Sequence, residues 1–138
     1  MQKLFYLDTS IWLDLFEDRD EPNNPKGQLA HELLNNIIKN DDKIIYSNNN
    51  IMELYIVGYS SYEINRLFRS LKPILIFVES TKNQVGKAKD ISLKRNIPKR
   101  DVLHALIARD TKSTLITLDS HFQKILDIIK PKRPQDII

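Results

Sequence analysis

The sequence predicts an α/β fold: one domain over residues 1–138, built as an α/β/α sandwich with a mostly parallel central sheet. Short apolar runs alternate with segments whose apolar residues recur every three or four positions, which are the patterns of buried strands and amphipathic helices. Strands separated by helices imply crossover connections and helices on both faces of the sheet. The chain has 138 residues, 41% of them hydrophobic, which is enough for one such core.

The individual elements follow from apolar runs, capping residues and prolines. Thr9 or Ser10 can cap the first helix, Asn48 or Asn49 the third, and Thr81 a long later one. The polar segment 17–26 contains two prolines and predicts a loop. Strands are predicted at residues 4–7, 43–47, 73–78 and 114–118, with a final edge strand at 135–138. Helices are predicted at residues 11–16, 29–38, 49–57, 62–70, 81–96, 98–111 and about 122–129.

The composition excludes several kinds of chemistry. The absence of Cys excludes disulfides, thiol nucleophiles and iron–sulfur clusters. The three glycines are far apart, so no dinucleotide fingerprint or phosphate-binding P-loop is present. His31, His104 and His121 lack the spacing of a zinc site built from stacked histidines. Any metal is therefore expected on carboxylates, which favours Mg²⁺ or Mn²⁺.

Charge is distributed unevenly along the chain. Residues 1–60 carry five Lys/Arg and ten Asp/Glu, a net of −5, whereas residues 61–138 carry sixteen and eight, a net of +8. This asymmetry, with a formal net charge of +3, permits a nucleic-acid partner without establishing one. No apolar run approaches the ~18 residues of a membrane span. We therefore expect a cytoplasmic protein with no membrane segment.

Four acidic residues stand where a parallel sheet places its ligands. Asp8 ends the first predicted strand and Asp119 the strand at 114–118, and ligands bind outside the carboxyl ends of such strands. Asp101 begins a helix whose Ala105 and Ala108 share its face and permit close approach to the sheet. Glu53 lies near the apolar side of another helix. Each residue also has a simpler interpretation, as a helix cap, a favourable helix N-terminus or a solvated position.

The four carboxylates gain significance as a set. If they converged in one cleft they would repel one another, and only a cation or raised pKa values would make the cluster tolerable. Since carboxylate oxygen suits hard ions, Mg²⁺ or Mn²⁺ is the expected partner.

The ordered motifs around these acids resemble the PIN domain family and, within it, the VapC-type toxin ribonucleases of toxin–antitoxin pairs. The resemblance covers nearly the whole chain, although each motif alone is unspecific. Its motifs are Leu7-Asp8-Thr9-Ser10, Met52-Glu53-Leu54, Asp101-Val102-Leu103-His104-Ala105-Leu106-Ile107-Ala108 and Thr117-Leu118-Asp119-Ser120-His121-Phe122.

The resemblance implies a metal-dependent endoribonuclease with an RNA substrate. It implies that Asp8, Glu53, Asp101 and Asp119 are catalytic and bind one or two Mg²⁺ or Mn²⁺ ions, and that Asp8 and Asp101 are direct ligands. Ser10, which equally suits an N-cap, would hydrogen-bond within the cluster, and Thr117 of the fourth motif would support it. A small cognate antitoxin and a homodimer are the implied protein partners.

Basic residues precede Asp101 and form a candidate RNA-binding track. Lys94, Arg95, Lys99 and Arg100 suit a phosphate backbone led towards a metal site, and Lys99 and Arg100 are the stronger candidates because they adjoin Asp101. A solvated helix face explains the earlier part of the basic run, Lys82 to Lys89, as well. His104 is expected to be packed or hydrogen-bonded rather than catalytic.

Three other functions are compatible with parts of the sequence. A PIN-like nuclease of RNA processing or decay would carry the same acids without being a toxin, and a non-catalytic binding module would retain only the fold. A phosphatase of the haloacid dehalogenase type also begins with a strand-end Asp, but it needs a second Asp where Ser10 stands. We therefore set the phosphatase aside.

Overall fold

The computed structural model describes residues 2–138 and has the predicted α/β architecture. Strands and helices alternate along most of the chain, as the apolar pattern requires. The elements are β1 (Leu4–Leu7), α1 (Thr9–Glu17), β2 (Asp20–Glu21), β3 (Asn24–Pro25), α2 (Lys26–Lys39), β4 (Lys43–Ser47), α3 (Asn48–Ile56), α4 (Ser61–Arg69), β5 (Leu75–Val78), α5 (Lys82–Arg95), α6 (Lys99–Asp110), β6 (Thr114–Ile116) and α7 (Pro134–Ile137), with 3₁₀ turns at Lys72–Ile74 and Ser120–Ile125.

The central sheet is entirely parallel and has a hydrophobic core on each face. Its strand order is β5-β4-β1-β6. Successive side chains of β1 alternate between the two cores. Phe5 and Leu7 pack with α1 to α4, whereas Tyr6 packs with α5, α6 and the turn at Ser120–Ile125. The two cores produce the predicted three-layer sandwich.

The strand order brings two predicted site segments together. The chain adds β4 and β5 on one side of β1 and then returns to place β6 on the other side. The carboxyl ends of β1 and β6 are therefore neighbours, with the backbone N–H of Asp8 donating to the Ile116 carbonyl at 3.1 Å. A crevice at such a reversal of strand order is the usual ligand site of a parallel sheet.

The edge strand predicted at residues 135–138 is wrong. Pro134 lies at the first position of α7, where its missing N–H costs no hydrogen bond, and the Asp136 carboxylate accepts from the Arg133 backbone N–H. This local capping favours a helix. Only Lys132 reaches the sheet, through a single parallel bridge to Ile116.

Several predicted boundaries shift because side chains or prolines cap the elements differently. Asp8 caps α1 and Ser47 caps α3, each one position before the predicted candidates. Pro73 lies in a 3₁₀ turn, so β5 begins at Leu75. Thr117 leaves β6 after Ile116, and the predicted helix at 122–129 is a 3₁₀ turn instead.

The predicted loop at 17–26 is a tight connection that contains a two-residue antiparallel ladder. Asp20 and Glu21 pair with Asn24 and Pro25, and the helix that follows begins at once. A Cβ placed on Gly27 would lie 2.7 Å from the Asp18 carbonyl carbon, so a side chain has no room there.

Within residues 2–138, every helix is too short or too polar to span a lipid bilayer.

We expect Gly27→Ala and Gly86→Ala to change stability in opposite directions. The first substitution pushes a methyl group into backbone and should lower the free energy of unfolding by about 1–3 kcal/mol. Gly86 lies inside α5 with open space at its Cβ position, so alanine there should raise it by about 0.5–1 kcal/mol. Urea denaturation of both variants checks the pair, and a neutral Gly27→Ala would contradict the close approach.

Asp14 in α1 makes the free energy of unfolding depend on pH. The residue is buried, and burial raises its pKa to about 6, although the nearby charges of Lys26 and Arg19 oppose the rise. The folded state therefore binds more protons than the unfolded state between about pH 4 and pH 6, and stability falls as pH rises through this range. Asp14→Asn should flatten this dependence and stabilise the protein by about 1–2 kcal/mol above pH 6.

Thermal unfolding measured from pH 4 to pH 7 tests the Asp14 prediction. Asp90→Asn, an exposed change on α5, is the matched control and should leave the slope unaltered. An unchanged slope in Asp14→Asn would contradict the assignment.

Candidate active site

Asp8 is buried directly after β1, where three donors hold its carboxylate. Ser10 Oγ donates to Oδ1 at 2.6 Å, the Ile11 backbone N–H donates to the same oxygen at 3.1 Å, and Thr117 Oγ1 donates to Oδ2 at 2.5 Å. Burial raises the Asp8 pKa, and these hydrogen bonds only partly oppose that rise. The side chain thus caps α1 and also faces the site.

Thr117 links two of the predicted acids through one hydroxyl group. Its Oγ1 donates to Asp8 and accepts from the Asp119 backbone N–H at 3.0 Å. Because Asp8 and Thr117 are 109 residues apart, only the pairing of β1 with β6 brings them into contact. The hydroxyl fixes the end of β6 relative to Asp8.

Asp101, Asp119 and His121 form the tightest group of candidate metal ligands. One ligand atom from each side chain lies within 4.8 Å of the others. His121 Nδ1 is 3.0 Å from Asp101 Oδ2 and 3.2 Å from Asp119 Oδ1. Asp101 lies in the first turn of α6, and Asp119 caps the turn at Ser120–Ile125. Asp8 and Glu53 stand outside this group of three.

Electrostatics in this group favour a bound cation. Burial raises the Asp101 pKa, the neighbouring Asp119 carboxylate raises it further, and His121 and His104 oppose the rise without cancelling it. A dication between the carboxylates would remove that repulsion.

Glu53 faces the site from α3 and is held by two side chains from different elements. Its Oε1 accepts from Thr9 Oγ1 at 2.8 Å and from His104 Nε2. Burial raises the Glu53 pKa, but the contacts with His104 and Thr9 and the charge of Arg100 outweigh it, so the net shift is downward. The carboxylate is therefore held in its charged form.

His104 is buried and belongs to a hydrogen-bonded chain beneath Glu53, as the sequence predicts for it. Nδ1 lies 2.6 Å from Tyr6 Oη and 3.2 Å from the Asn49 amide nitrogen, and Tyr6 Oη lies 2.6 Å from Ser47 Oγ. With Nδ1 accepting from Tyr6 and Asn49, the ring proton is on Nε2, where it donates to Glu53. The imidazole thus orients the Glu53 carboxylate.

The oxygens left free fit a divalent metal ion. Within residues 2–138, no hydrogen bond reaches Glu53 Oε2, Asp101 Oδ1 or Asp119 Oδ2. Carboxylate oxygens with open lone pairs, gathered at one edge of a sheet, match the ligands that Mg²⁺ and Mn²⁺ take in proteins. The donor set therefore fits the metal predicted from the sequence.

Lys99 and Arg100 directly precede Asp101 at the start of α6. Both line a pocket of about 290 Å³ between the start of α3 and the start of α6, with Asn48, Met52 and Leu103. Within residues 2–138 neither cation forms an ion pair, so both are available to an anionic ligand.

Lys94 and Arg95 are placed differently. Arg95 makes a two-pronged ion pair with Asp127 at 2.7 and 3.0 Å, and Lys94 is exposed at the end of α5. A role for these two in RNA binding stays a prediction.

The sequence-based search missed two contributors to the site. Thr9, considered only as a helix cap, donates to Glu53 and accepts from Asn50 Nδ2 at 3.0 Å. His121 lacks the spacing of a histidine zinc site in the sequence, yet it lies between two acids. The sequence does contain one signal for His121. It follows the cap residue Asp119 by two positions, and that spacing places its side chain beside the capping carboxylate.

The fold and the acidic crevice define an α/β domain with a candidate metal site at the carboxyl edge of its sheet, and comparison with known proteins assigns its family. The PIN domain family model matches residues 5–127. The chain belongs to the PIN domain family, whose members are nucleases that use divalent metal ions. A search of curated protein sequences found no match.

Solved structures with the same fold include toxin–antitoxin proteins. VapBC2 from Rickettsia felis, bound to a promoter DNA fragment, matches with a TM-score of 0.66 at 17% identity, covering 94% of this chain and 98% of that one. VapBC-1 from nontypeable Haemophilus influenzae matches with a TM-score of 0.66 at 20% identity, covering 96% and 98%. A Klebsiella pneumoniae toxin–antitoxin complex gives 0.62 at 18% identity, covering 96% and 99%.

We expect Thr117→Val to destabilise the protein much more than Thr117→Ser. Valine keeps the shape of threonine but leaves the buried Asp8 oxygen and the Asp119 N–H without this partner, at a cost of about 1–3 kcal/mol. Serine retains the hydroxyl and should lose less than half as much. Chemical denaturation compares the variants, and a loss in Thr117→Ser as large as that in Thr117→Val would contradict a dominant role for the hydroxyl.

Proposed function

We propose that this protein is a metal-dependent endoribonuclease and the toxin of a type II toxin–antitoxin pair. The observation that carries the proposal is the close grouping of Asp101 and Asp119 at the edge of a PIN-family sheet, with Asp8 linked to Asp119 through the Thr117 hydroxyl. We further propose that residues 1–138 act as a single nuclease domain in the cytoplasm.

The four acids have distinct roles in this proposal. Asp101 and Asp119 hold one or two Mg²⁺ or Mn²⁺ ions, Asp8 completes the ligand set from the end of β1, and Glu53 contributes its free Oε2 from α3. Ser10 and Thr117 keep Asp8 oriented. When bound, the metal would activate water and stabilise the charge that develops on the phosphate.

The surrounding charge favours a nucleic-acid substrate, and we propose that this substrate is RNA. Lys99 and Arg100 precede Asp101 directly and carry unpaired positive charge at the rim of the site. A phosphate backbone bound there is led to the acidic crevice, since lysine and arginine contacts to phosphate position a nucleic acid without reading its sequence. Lys94 and Arg95 would extend this track along α5.

A small antitoxin and a second copy of the chain are the proposed protein partners. Exposed apolar side chains follow one another at the end of α3 and the start of α4, and a surface of this kind marks an interaction site. They are Met52, Tyr55, Ile56, Val57 and Tyr62, each 45–74% exposed. The VapBC structures of the same fold are toxin–antitoxin proteins, which supports this assignment.

The second candidate is a PIN nuclease of RNA processing or decay that is not a toxin. The same acids and basic rim would serve it, so the two differ only in the consequence for the cell. A non-catalytic binding module is less well supported, because three acids keep open oxygens at the site. Induced expression separates the first two: a toxin arrests growth, and co-expression of its antitoxin relieves the arrest.

We expect Asp101→Asn to abolish RNA cleavage without unfolding the protein. Loss of a direct metal ligand should lower kcat by about 100-fold or more, since even groups around metal ligands are worth 10- to 100-fold. A digest of single-stranded RNA with Mg²⁺ or Mn²⁺, with and without EDTA, measures this, and circular dichroism reports the fold. Asp8→Asn should behave alike.

Asp90→Asn on the exposed face of α5 is the matched control and should retain full activity. Cleavage that persists in both Asp101→Asn and Asp8→Asn would sink the proposal.

A further inference from the structure

His121 adds a nitrogen donor to a site otherwise built from carboxylates. Its imidazole lies over the crevice between the ends of β6 and the start of α6, with Nδ1 3.0 Å from Asp101 and 3.2 Å from Asp119. The histidine side chain is 47% exposed, so one ring edge faces the acids and the other faces solvent. Nδ1 is therefore the ring nitrogen that could bind an ion together with the two carboxylates.

The spacing of these atoms matches adjacent positions around a hexacoordinate ion. With metal–ligand bonds of about 2.1–2.2 Å, neighbouring ligand atoms in an octahedron lie about 3 Å apart. The two distances from Nδ1 have that length, and one ligand atom from each of the three side chains lies within 4.8 Å of the others. The three side chains are therefore close enough to share one cation.

The backbone holds His121 in place for this role. Its N–H donates to Asp119 Oδ1 at 2.9 Å in the first turn of the 3₁₀ segment, which keeps the two side chains together. The next residue, Phe122, is completely buried and anchors the turn in the core. The imidazole is thus presented from a fixed turn, although it is itself accessible.

We infer that His121 is a direct metal ligand through Nδ1, and that the centre selects Mn²⁺ or another transition-metal dication over Mg²⁺. The inference rests on the proposed metal-dependent function and concerns one residue of that site. Imidazole is a good ligand for transition metals, whereas Mg²⁺ takes oxygen ligands and keeps its waters. One nitrogen in the set should shift the preference away from Mg²⁺.

The competing role for His121 is that of a hydrogen-bond donor to the two carboxylates. Distances of 3.0 and 3.2 Å also suit an N–H donating to oxygen. In that role Nδ1 would carry a proton and would not bind the metal. The two roles differ in whether nitrogen is bonded to the ion, which can be measured without RNA.

Pulsed electron paramagnetic resonance of the Mn²⁺-loaded full chain provides the test, because a directly bound imidazole gives a ¹⁴N modulation of the Mn²⁺ signal. We expect this modulation in the native protein and in His31→Ala, a control at an exposed histidine that pairs with Asp18 elsewhere. It should vanish in His121→Ala and in His121→Asp. Thermal unfolding confirms that both variants remain folded.

Competition of Mg²⁺ for bound Mn²⁺ gives the second readout. In His121→Asp, which makes all the ligand atoms oxygen, the ratio of Mn²⁺ to Mg²⁺ affinity should fall about tenfold or more, since a direct ligand matters at least as much as the groups around it. A ratio unchanged from the native protein would overturn the inference. So would ¹⁴N modulation that is absent from the native protein or that persists in His121→Ala.

These outcomes separate this inference from the broader proposal. If the native protein binds Mn²⁺ and cleaves RNA but shows no ¹⁴N modulation, only the role of His121 is wrong. If it binds neither Mn²⁺ nor Mg²⁺, the metal-dependent function itself fails.

Discussion

The concentration of carboxylates at one edge of the sheet is the constraint on which the rest of the structure depends. Asp8, Glu53, Asp101 and Asp119 raise the electrostatic energy of that edge, and each is met by donors that reduce the cost. Ser10 and Thr117 donate hydrogen bonds to Asp8, and Thr9 and His104 donate to Glu53. His121 lies beside Asp101. Charge-assisted hydrogen bonds of this kind are stronger than neutral ones. The donors hold each carboxylate in one orientation but leave one oxygen each of Glu53, Asp101 and Asp119 without a hydrogen bond. Such fixed carboxylates with open oxygens are the preorganisation that a cation site requires.

The parallel topology explains how so few residues achieve this arrangement. With β1 between β4 and β6, helices α1 and α3 and the turn after β6 all begin at the same edge. A side chain that caps one of these elements is automatically near the others. Asp8 and Asp119 therefore act as caps and also face the candidate site, so the two interpretations that the sequence leaves open for each do not exclude one another. Beneath them, the chain from Ser47 through Tyr6 to His104 crosses the sheet and fixes Glu53 from below.

The site also illustrates a conflict between stability and function. The pKa of Asp8 and that of Asp101 are both raised by burial, so without a cation their charged forms destabilise the folded state at neutral pH. A dication that binds only the folded protein would reverse that penalty and add its own binding free energy. Lys99 and Arg100 directly precede Asp101 in the chain, and the charge of Arg100 helps to lower the pKa of Glu53. The acidic side chains proposed to hold the metal and the basic side chains proposed to bind phosphate are thus only a few residues apart.

The sequence by itself determined the fold class, most helix and strand positions, and the placement of the four acids at strand ends and helix starts, because local periodicity and capping act over a few residues. It misjudged residues 135–138, where an apolar pair suggested a strand but Pro134 and Asp136 begin a helix. Tertiary structure alone decided the partners: Thr117 meets Asp8 across 109 residues, and His121 meets Asp101 across 20. Those contacts depend on strand order and on the path of a turn, which are set by the packing of the whole chain and leave no local pattern.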